Sequence, residues 1–524
     1  TRAVRNRADL VLLFTTLGAA CGGGSDSSPD ATELDAGIPD AAPVRVGADV
    51  VIDSGPLHGM PDGDLVRFTG IPFATAGRWE SPTAPAAWTS PRDATAFGPA
   101  CPQPNHSGLP QDENCLLVNV WAHADGAPRP VIVWIHGGGY IEGTAREAQY
   151  DGASLARATD ATIVSFDYRL GVLGYLALPQ LAAPDGGIGN YGLRDQIAAL
   201  QWVKRNIAIF GGDPSRVTIT GESAGGAATC TLLAAPGAQG LFVAASIQSG
   251  PCGLALALTT PTGTIPGAQA YGAVAVATQL GCTSGDIAAC LRSKTVAQIL
   301  ALNLPVYFDL GFGVSGLLPV VDGVTLDRRP LDALAAGRGA VPVIVGSNLD
   351  DASAFVIGMG VTSFASYLQF LQDQGALTAQ QRTAVLALYP TASFGGEVGA
   401  ATAFSTDRAF ACVAQQVATA RAAPTYLYEL ARKVPNGPLA PYGAVHGYDF
   451  INLFSSFAEW AITTSSDDLA LADEMRTAWA GLAHGTAPWP AAPMVRTFDV
   501  PSSTQATWRG GRCAQLAALG LEQH

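Results

Sequence analysis

Residues Val217 to Gly226 read Val-Thr-Ile-Thr-Gly-Glu-Ser-Ala-Gly-Gly. The first four favour an extended strand, and the small residues after Ser223 suit a helix that starts at once. A strand that turns this sharply into a helix exposes a serine oxygen at the top of a sheet. The turn strains the backbone at the serine, and a side chain at Gly221 or Gly225 would crowd the neighbouring strand and helix. G-x-S-x-G also arises by chance in a chain with 60 glycines, so its weight rests on this strand–turn–helix setting.

Other segments supply the layers such a turn needs. Val131-Ile-Val-Trp-Ile135 is a continuous apolar run of strand length, as expected of a strand covered on both faces. It ends in His136-Gly137-Gly138-Gly139-Tyr140. Three successive glycines let backbone N–H groups point into a cavity without side-chain obstruction. A flexible linker would not follow a buried strand and an imidazole. Further strands are expected at 161–166, 244–248, 341–345 and 425–430. The stretch 195–205 reads as a helix with Ile197, Leu200 and Val203 on one face, and 466–484 as another with Met475, Trp479 and Leu482 in the core. Short antiparallel strands fit 47–75, and 116–121 fits a further strand. Residues 251–330 read as helices and loops capping the sheet, and 361–422 as helical. Alternating strands and helices argue a mainly parallel α/β sheet. A chain of 524 residues can hold this as one large α/β unit.

The formal charge of −14 disfavours a nucleic-acid partner, and no basic stripe or internal repeat offsets it. The N-terminus reads as a signal peptide over 1–21: Arg2, Arg5 and Arg7 precede Leu10-Val-Leu-Leu-Phe14, and Gly18-Ala19-Ala20 lead into Cys21. That apolar run is too short to span a bilayer. Cys21 after small residues resembles a bacterial lipoprotein cleavage box, although Leu17 sits one place further from the cysteine than usual. Lipidation of Cys21 and plain cleavage both stay open. Residues 22–45 carry Asp26, Asp30, Glu33, Asp35 and Asp40 and read as a disordered acidic linker. Residues 46–524 are then the folded part. Of nine cysteines, Cys21 aside, eight remain, and an exported chain is expected to pair them. Spacing suggests Cys101–Cys115, Cys282–Cys290 and Cys412–Cys513. Cys230 and Cys252 are either a fourth pair or two buried thiols.

Several ordered blocks resemble the type-B carboxylesterases, the cholinesterase-like branch of the α/β-hydrolases, in their bacterial form. They are Phe68-Thr-Gly-Ile-Pro-Phe73, Glu113-Asn-Cys-Leu-Leu-Val-Asn-Val-Trp121, Trp134-Ile-His-Gly-Gly-Gly139, Asp167-Tyr-Arg-Leu-Gly-Val-Leu-Gly-Tyr175, Asn190-Tyr-Gly-Leu-Arg-Asp-Gln196 and the stretch from Trp202 through Phe210-Gly-Gly-Asp-Pro to Gly226. The resemblance implies an α/β-hydrolase fold: a large, mainly parallel central sheet with helices on both faces, and helical and loop insertions forming an active-site gorge. It implies one catalytic domain over 46–524, hydrolysing carboxylic esters through an acyl-enzyme, with no metal and no cofactor.

It also implies a serine, an acid and a histidine in that order. Ser223 fits the first. The family's acid lies in a turn like Asp-Glu-Gly-Ser, here Asp350-Asp351-Ala352-Ser353, so Asp351 falls on the acid. Two departures stand: Asp replaces the usual Glu, and Ala352 replaces Gly. Asp350 is the alternative acid. The family's Gly-Ala-x-His-Gly matches Gly443-Ala-Val-His446-Gly447, which makes His446 the base among seven histidines. The family pattern assigns the oxyanion hole to the N–H groups of Gly138, Gly139 and Ala224. The choline-ester specialists carry a tryptophan in the first disulfide loop. The loop from Cys101 to Cys115 has no aromatic ring except His106, so a cation–π site is not expected there. The expected partner is a small to medium, largely uncharged ester, with no nucleic acid and with membrane contact only through a lipid on Cys21. Exported localisation follows from the N-terminus. A binding-only adhesion module is the contrasting class, and it would lack a complete triad. Carbamates, amides and long-chain lipid esters are alternatives within the same chemistry.

Overall fold

The computed structural model describes residues 45–104 and 108–522. The expected signal peptide, Cys21, the linker up to residue 44, His106 and His524 lie outside the described residues.

Eleven strands form the central sheet: β1 (Met60–Asp62), β2 (Leu65–Pro72), β3 (Leu117–His123), β4 (Arg129–Ile135), β5 (Thr162–Phe166), β6 (Gly212–Glu222), β7 (Ala244–Gln248), β8 (Val343–Asn348), β9 (Thr425–Leu430), β10 (Val495–Phe498) and β11 (Ser503–Gln505). Their spatial order is β11-β10-β9-β8-β7-β6-β4-β5-β3-β2-β1. The seven strands from β10 to β5 run parallel. Both edges are antiparallel. The sheet is therefore mixed, parallel in the middle and antiparallel at its edges; only the outermost pairs, β1–β2 and β10–β11, are joined by short turns.

The apolar run of β4 divides its side chains between two cores, as the two-residue period of a strand requires. Val131, Val133 and Ile135 enter one core with Leu200 and Val203 of the helix Tyr191–Asn206 and Leu232 of the helix Ala224–Ala234. Ile132 and Trp134 enter the other with Leu155 of the helix Gly152–Thr159 and with Met475, Trp479 and Leu482 of the helix Ser466–Ala483. Helices thus cover both faces, and the strand reads as continuously apolar because neither face meets water.

A third core forms the cap. It packs Phe364, Tyr367 and Leu368 of the helix Phe364–Asp373, Val385 of the helix Ala379–Leu388 and Phe404 of the helix Glu397–Thr406 against Phe312 and Phe410. Residues 251–330 hold helices and loops as expected, and also two small strand pairs, Leu256–Ala257 with Val320–Val321 and Val306–Tyr307 with Val314–Ser315. Such two-residue strands carry no periodic signal.

Cys101–Cys115, Cys282–Cys290 and Cys412–Cys513 are disulfides, and so is Cys230–Cys252, which closes the question of two free thiols. Cys230 lies on the helix after Ser223, and Cys252 lies just beyond β7. Four disulfides are the mark of a chain folded in an oxidising compartment, as exported proteins are. No helix among the described residues is long and apolar enough to cross a membrane.

Candidate active site

Loops from the carboxyl ends of β4, β6, β8 and β9 meet above the sheet. Parallel pairing sets these ends side by side: Ile135 opposite Gly221, Glu222 opposite Gln248, Gln248 opposite Gly346 and Gly346 opposite Tyr428. Residues far apart in sequence therefore converge at one crevice.

Ser223 has φ 59° and ψ −123°, outside the regions open to most side chains. Such a residue costs about 1–3 kcal/mol and persists only when its surroundings fix it. Its N–H donates to the Gln248 carbonyl (2.9 Å), and its own carbonyl accepts from Ala227 N–H (2.9 Å). The glycines act as the sequence suggests. A Cβ on Gly225 would lie 2.0 Å from the Ile135 carbonyl oxygen, and one on Gly221 would lie 2.5 Å from the Gly225 carbonyl. Strand and helix touch backbone to backbone, and this contact holds the turn sharp.

The loop after β4 runs beside the serine, since a Cβ on Gly137 would lie 3.2 Å from Ser223 Cβ. Gly138 has φ 103°, and a Cβ there would meet the Glu142 carbonyl oxygen at 2.1 Å. Gly138, Gly139 and Ala224 all line the same cavity as Ser223. His136 is buried and stacks on Tyr168 with centroids 4.4 Å apart. The Tyr168 hydroxyl donates to the His136 carbonyl (2.9 Å). Gln103, inside the first disulfide loop, clamps the far end: its Nε2 donates to the Gly143 carbonyl (2.9 Å) and its Oε1 accepts from Gly143 N–H (2.8 Å). A lone glutamine between prolines gives no sequence signal for this.

The two adjacent aspartates face opposite ways. Asp351 is fully buried, and its Oδ1 lies 2.5 Å from His446 Nδ1. Its Oδ2 accepts from Ser249 Oγ (2.7 Å) and Asn348 N–H (2.9 Å). Asp350 instead straps the histidine loop. Its Oδ2 accepts from Ala444 N–H (3.0 Å), and its N–H donates to the Ala444 carbonyl (3.0 Å).

On its other side, His446 Nε2 lies 3.2 Å from Glu222 Oε1. Nε2 and Ser223 Oγ share no hydrogen bond in this state; such bonds commonly tighten only with substrate bound. Burial opposes the charged imidazolium, yet Glu222, Asp351 and Asp449 together raise the His446 pKa to about 9. Burial pushes the Glu222 carboxyl up to about 8, against the pull of His446. Asp449 lies fully buried, accepts from the Tyr428 hydroxyl (2.6 Å), and is raised by burial and then by Asp351. Glu222, Ser249 and Asp449 carry no role in the sequence reading. G-x-S-x-G leaves its second position free, and Ser249 and Asp449 belong to no spacing pattern.

The cavity above these groups measures about 1490 Å³. Its insertion-built walls are apolar and include Leu302, Phe308, Phe312, Phe355, Met359 and Phe370. Phe355 and Phe410 flank the His446 ring at 5.1 and 5.0 Å. The wall near the glycine loop is polar: Glu142, Glu147 and Gln149 face the cavity there. Burial pushes the Glu147 carboxyl up to about 8. Among the described residues, no Lys or Arg lines the cavity. No group of three His, Cys, Asp or Glu among the described residues could hold a metal ion.

A mainly parallel sheet with helices on both faces and a strained serine turn at its carboxyl edge defines an α/β-hydrolase. The Carboxylesterase family matches residues 48–509. The chain is 33% identical to the fumonisin B1 esterase of Sphingopyxis macrogoltabida over 460 residues, covering 82% of this chain and 81% of that protein. It is 36% identical to the para-nitrobenzyl esterase of Bacillus subtilis (strain 168) over 326 residues, 58% of this chain and 63% of that one. A solved thermophilic PNB esterase superposes with a TM-score of 0.76 at 27% identity, covering 89% of this chain and 99% of its own. The chain belongs to the carboxylesterase family and is a serine carboxylic-ester hydrolase.

Proposed function

We propose that residues 46–524 form a catalytic domain that hydrolyses small to medium, largely uncharged esters through an acyl-enzyme on Ser223. One observation carries the reading: His446, paired with the buried Asp351, lines the same cavity as a strained serine at the carboxyl edge of the sheet. Serine hydroxyl is a poor nucleophile until a base takes its proton. His446 Nε2 accepts that proton as Ser223 Oγ attacks the ester carbonyl. Asp351 holds the proton on Nδ1, fixing the tautomer and stabilising the imidazolium. The N–H groups of Gly138, Gly139 and Ala224 take the oxyanion, each worth roughly 3–4 kcal/mol of barrier. His446 then returns the proton to the departing alcohol, and a water molecule repeats the sequence on the acyl-enzyme to release the acid.

The apolar insertion walls support an uncharged acyl group. The acidic wall, with no Lys or Arg lining the cavity among the described residues, disfavours anionic esters. The N-terminal segment 1–21 directs export, and Cys21 is lipidated or the peptide is simply cleaved.

A chain-length series of p-nitrophenyl esters tests the reading. Ser223→Ala is expected to remove turnover by several orders of magnitude, and retention of most activity would sink the assignment. A fluorophosphonate should label the wild-type protein and not the variant; an unlabelled wild type would point to a binding module.

A further inference from the structure

The acid turn is held from below by the other end of the chain. Beyond β11 the backbone takes three successive left-handed residues, Arg509 (φ 51°), Gly510 (φ 59°) and Gly511 (φ 76°). The two glycines adopt this freely, but Arg509 does not, so something must over-determine it. Its side chain is 3% exposed and runs inward beneath β8. Nη1 donates to the Leu349 carbonyl (3.2 Å), and Nη2 donates to the Asn348 carbonyl (3.1 Å). These peptide groups lead directly into Asp350 and Asp351, and Asn348 N–H is itself a donor to Asp351.

The charge is matched on the spot. Arg509 Nε lies 2.7 Å from Glu429 Oε1, and Nη1 lies 3.4 Å from Asp407 Oδ1. Trp508 Nε1 donates to the same Glu429 oxygen (2.9 Å). Arg512 Nε donates to the other Asp407 oxygen (2.6 Å), which also accepts from the Tyr389 hydroxyl (2.9 Å). The Cys412–Cys513 disulfide then fixes the segment to the cap. A guanidinium has five donors in a planar fork, so it can meet two carbonyls and two carboxylates at once; an ammonium cannot.

We propose that Arg509 is a positioning residue for the reaction: its guanidinium fixes the turn that aims Asp351 at His446. The proposal rests on reading Asp351 as the triad acid. The neighbouring Arg512 provides the internal control, because it pairs with Asp407 but touches no carbonyl of the acid turn.

The test compares Arg509→Lys with Arg512→Lys on p-nitrophenyl butyrate, alongside wild type and Ser223→Ala. Arg509→Lys is expected to lose roughly 10- to 100-fold in kcat with KM nearly unchanged, because displacing a catalytic group by about an ångström costs on that order. Its acid limb should also move to lower pH. Glu222, Asp351 and Asp449 are the acids facing His446, and a misaligned Asp351 supports the imidazolium less. Arg512→Lys should keep kcat within a few-fold at a comparable loss of Tm. Equal kcat losses in the two variants, or an unmoved acid limb in Arg509→Lys, would overturn the proposal.

A second readout needs no turnover. The His446 Nδ1 proton bound to Asp351 should resonate far downfield in the wild type and shift or broaden in Arg509→Lys. An unchanged resonance would refute the positioning role even if the esterase reading itself failed on Ser223→Ala. If Arg509→Lys does not accumulate as folded protein, Arg509→Gln/Glu429→Gln removes the buried ion pair together. The same kcat loss is expected there, and wild-type kcat would overturn the proposal.

Discussion

The two halves of the site are built by different means. The half at β4 and β6 is held by close backbone packing: Gly225 against the Ile135 carbonyl, Gly221 against the start of the helix, and Gly138 against Glu142. The half at β8 and β9 is held by polar side chains brought in from elsewhere: Ser249 and Asn348 on Asp351, Asp350 on Ala444, and Arg509 on the turn itself. The first half is steric and local. The second is a relay assembled from four distant parts of the chain. Damage should therefore show differently, as lost stability together with lost activity in the first half, and as activity lost out of proportion to stability in the second.

The relay half should give the largest effect. Asp351→Asn keeps the size of the side chain but no longer stabilises the imidazolium, and it should lower kcat by about 10⁴-fold. Asp350→Asn keeps an oxygen for Ala444 N–H and should leave kcat within a few-fold. Esterase kinetics on the pair checks this split, and equal losses would break the assignment of separate jobs to the two aspartates. Next comes the steric half. Gly225→Ala must move the Ile135 carbonyl or the helix, so it should lose about 1–3 kcal/mol of stability and roughly 10²-fold in kcat. A thermal melt beside the kinetics checks it. Full activity at lowered Tm would show that the nucleophile turn tolerates slack. Ser249→Ala should be milder, about tenfold in kcat for one buried charge-assisted bond, with little change in Tm. A large Tm loss there would blur the distinction between the halves.

This division also decides what could be read beforehand. The steric half leaves its mark in consecutive residues, because only glycine fits where two backbones touch. Gly221, Ser223, Gly225 and the run 137–139 were therefore legible, as were the buried strands that carry them. Asp351 and His446 were legible only through their likeness to a family's motifs, which is why Asp350 stayed open beside Asp351. Ser249, Asp449, Gln103 and Arg509 were not legible at all. Each acts through long-range polar contacts, and single polar residues have no periodicity to betray them. The acidic wall at Glu142 and Glu147 escaped notice for the same reason: loops rich in apolar residues can still turn their few acids inward.

Glu222 belongs to both halves, and it gives the smallest and most specific prediction. It sits inside the steric turn, yet its carboxyl meets His446 Nε2. An imidazole of ordinary pKa would lose its basic form around pH 6–7. Here burial works against the imidazolium, but Glu222, Asp351 and Asp449 outweigh it and raise the pKa to about 9. On the proposed mechanism His446 must be neutral to take the proton of Ser223, so kcat/KM should fall as pH drops through that raised value. Glu222→Gln removes one of the raising charges, so the midpoint should move to lower pH. The variant would then keep a larger fraction of its maximal kcat/KM at pH 6 than the wild type does. Burial pushes the Glu222 carboxyl up as well, to about 8, so its charge fades as the pH drops below that value. If the two pH profiles superimpose, Glu222 carries no charge across that range. The raised histidine would then owe its basicity to Asp351 and Asp449 alone, and the polar relay would end at Asp351 without reaching into the serine turn.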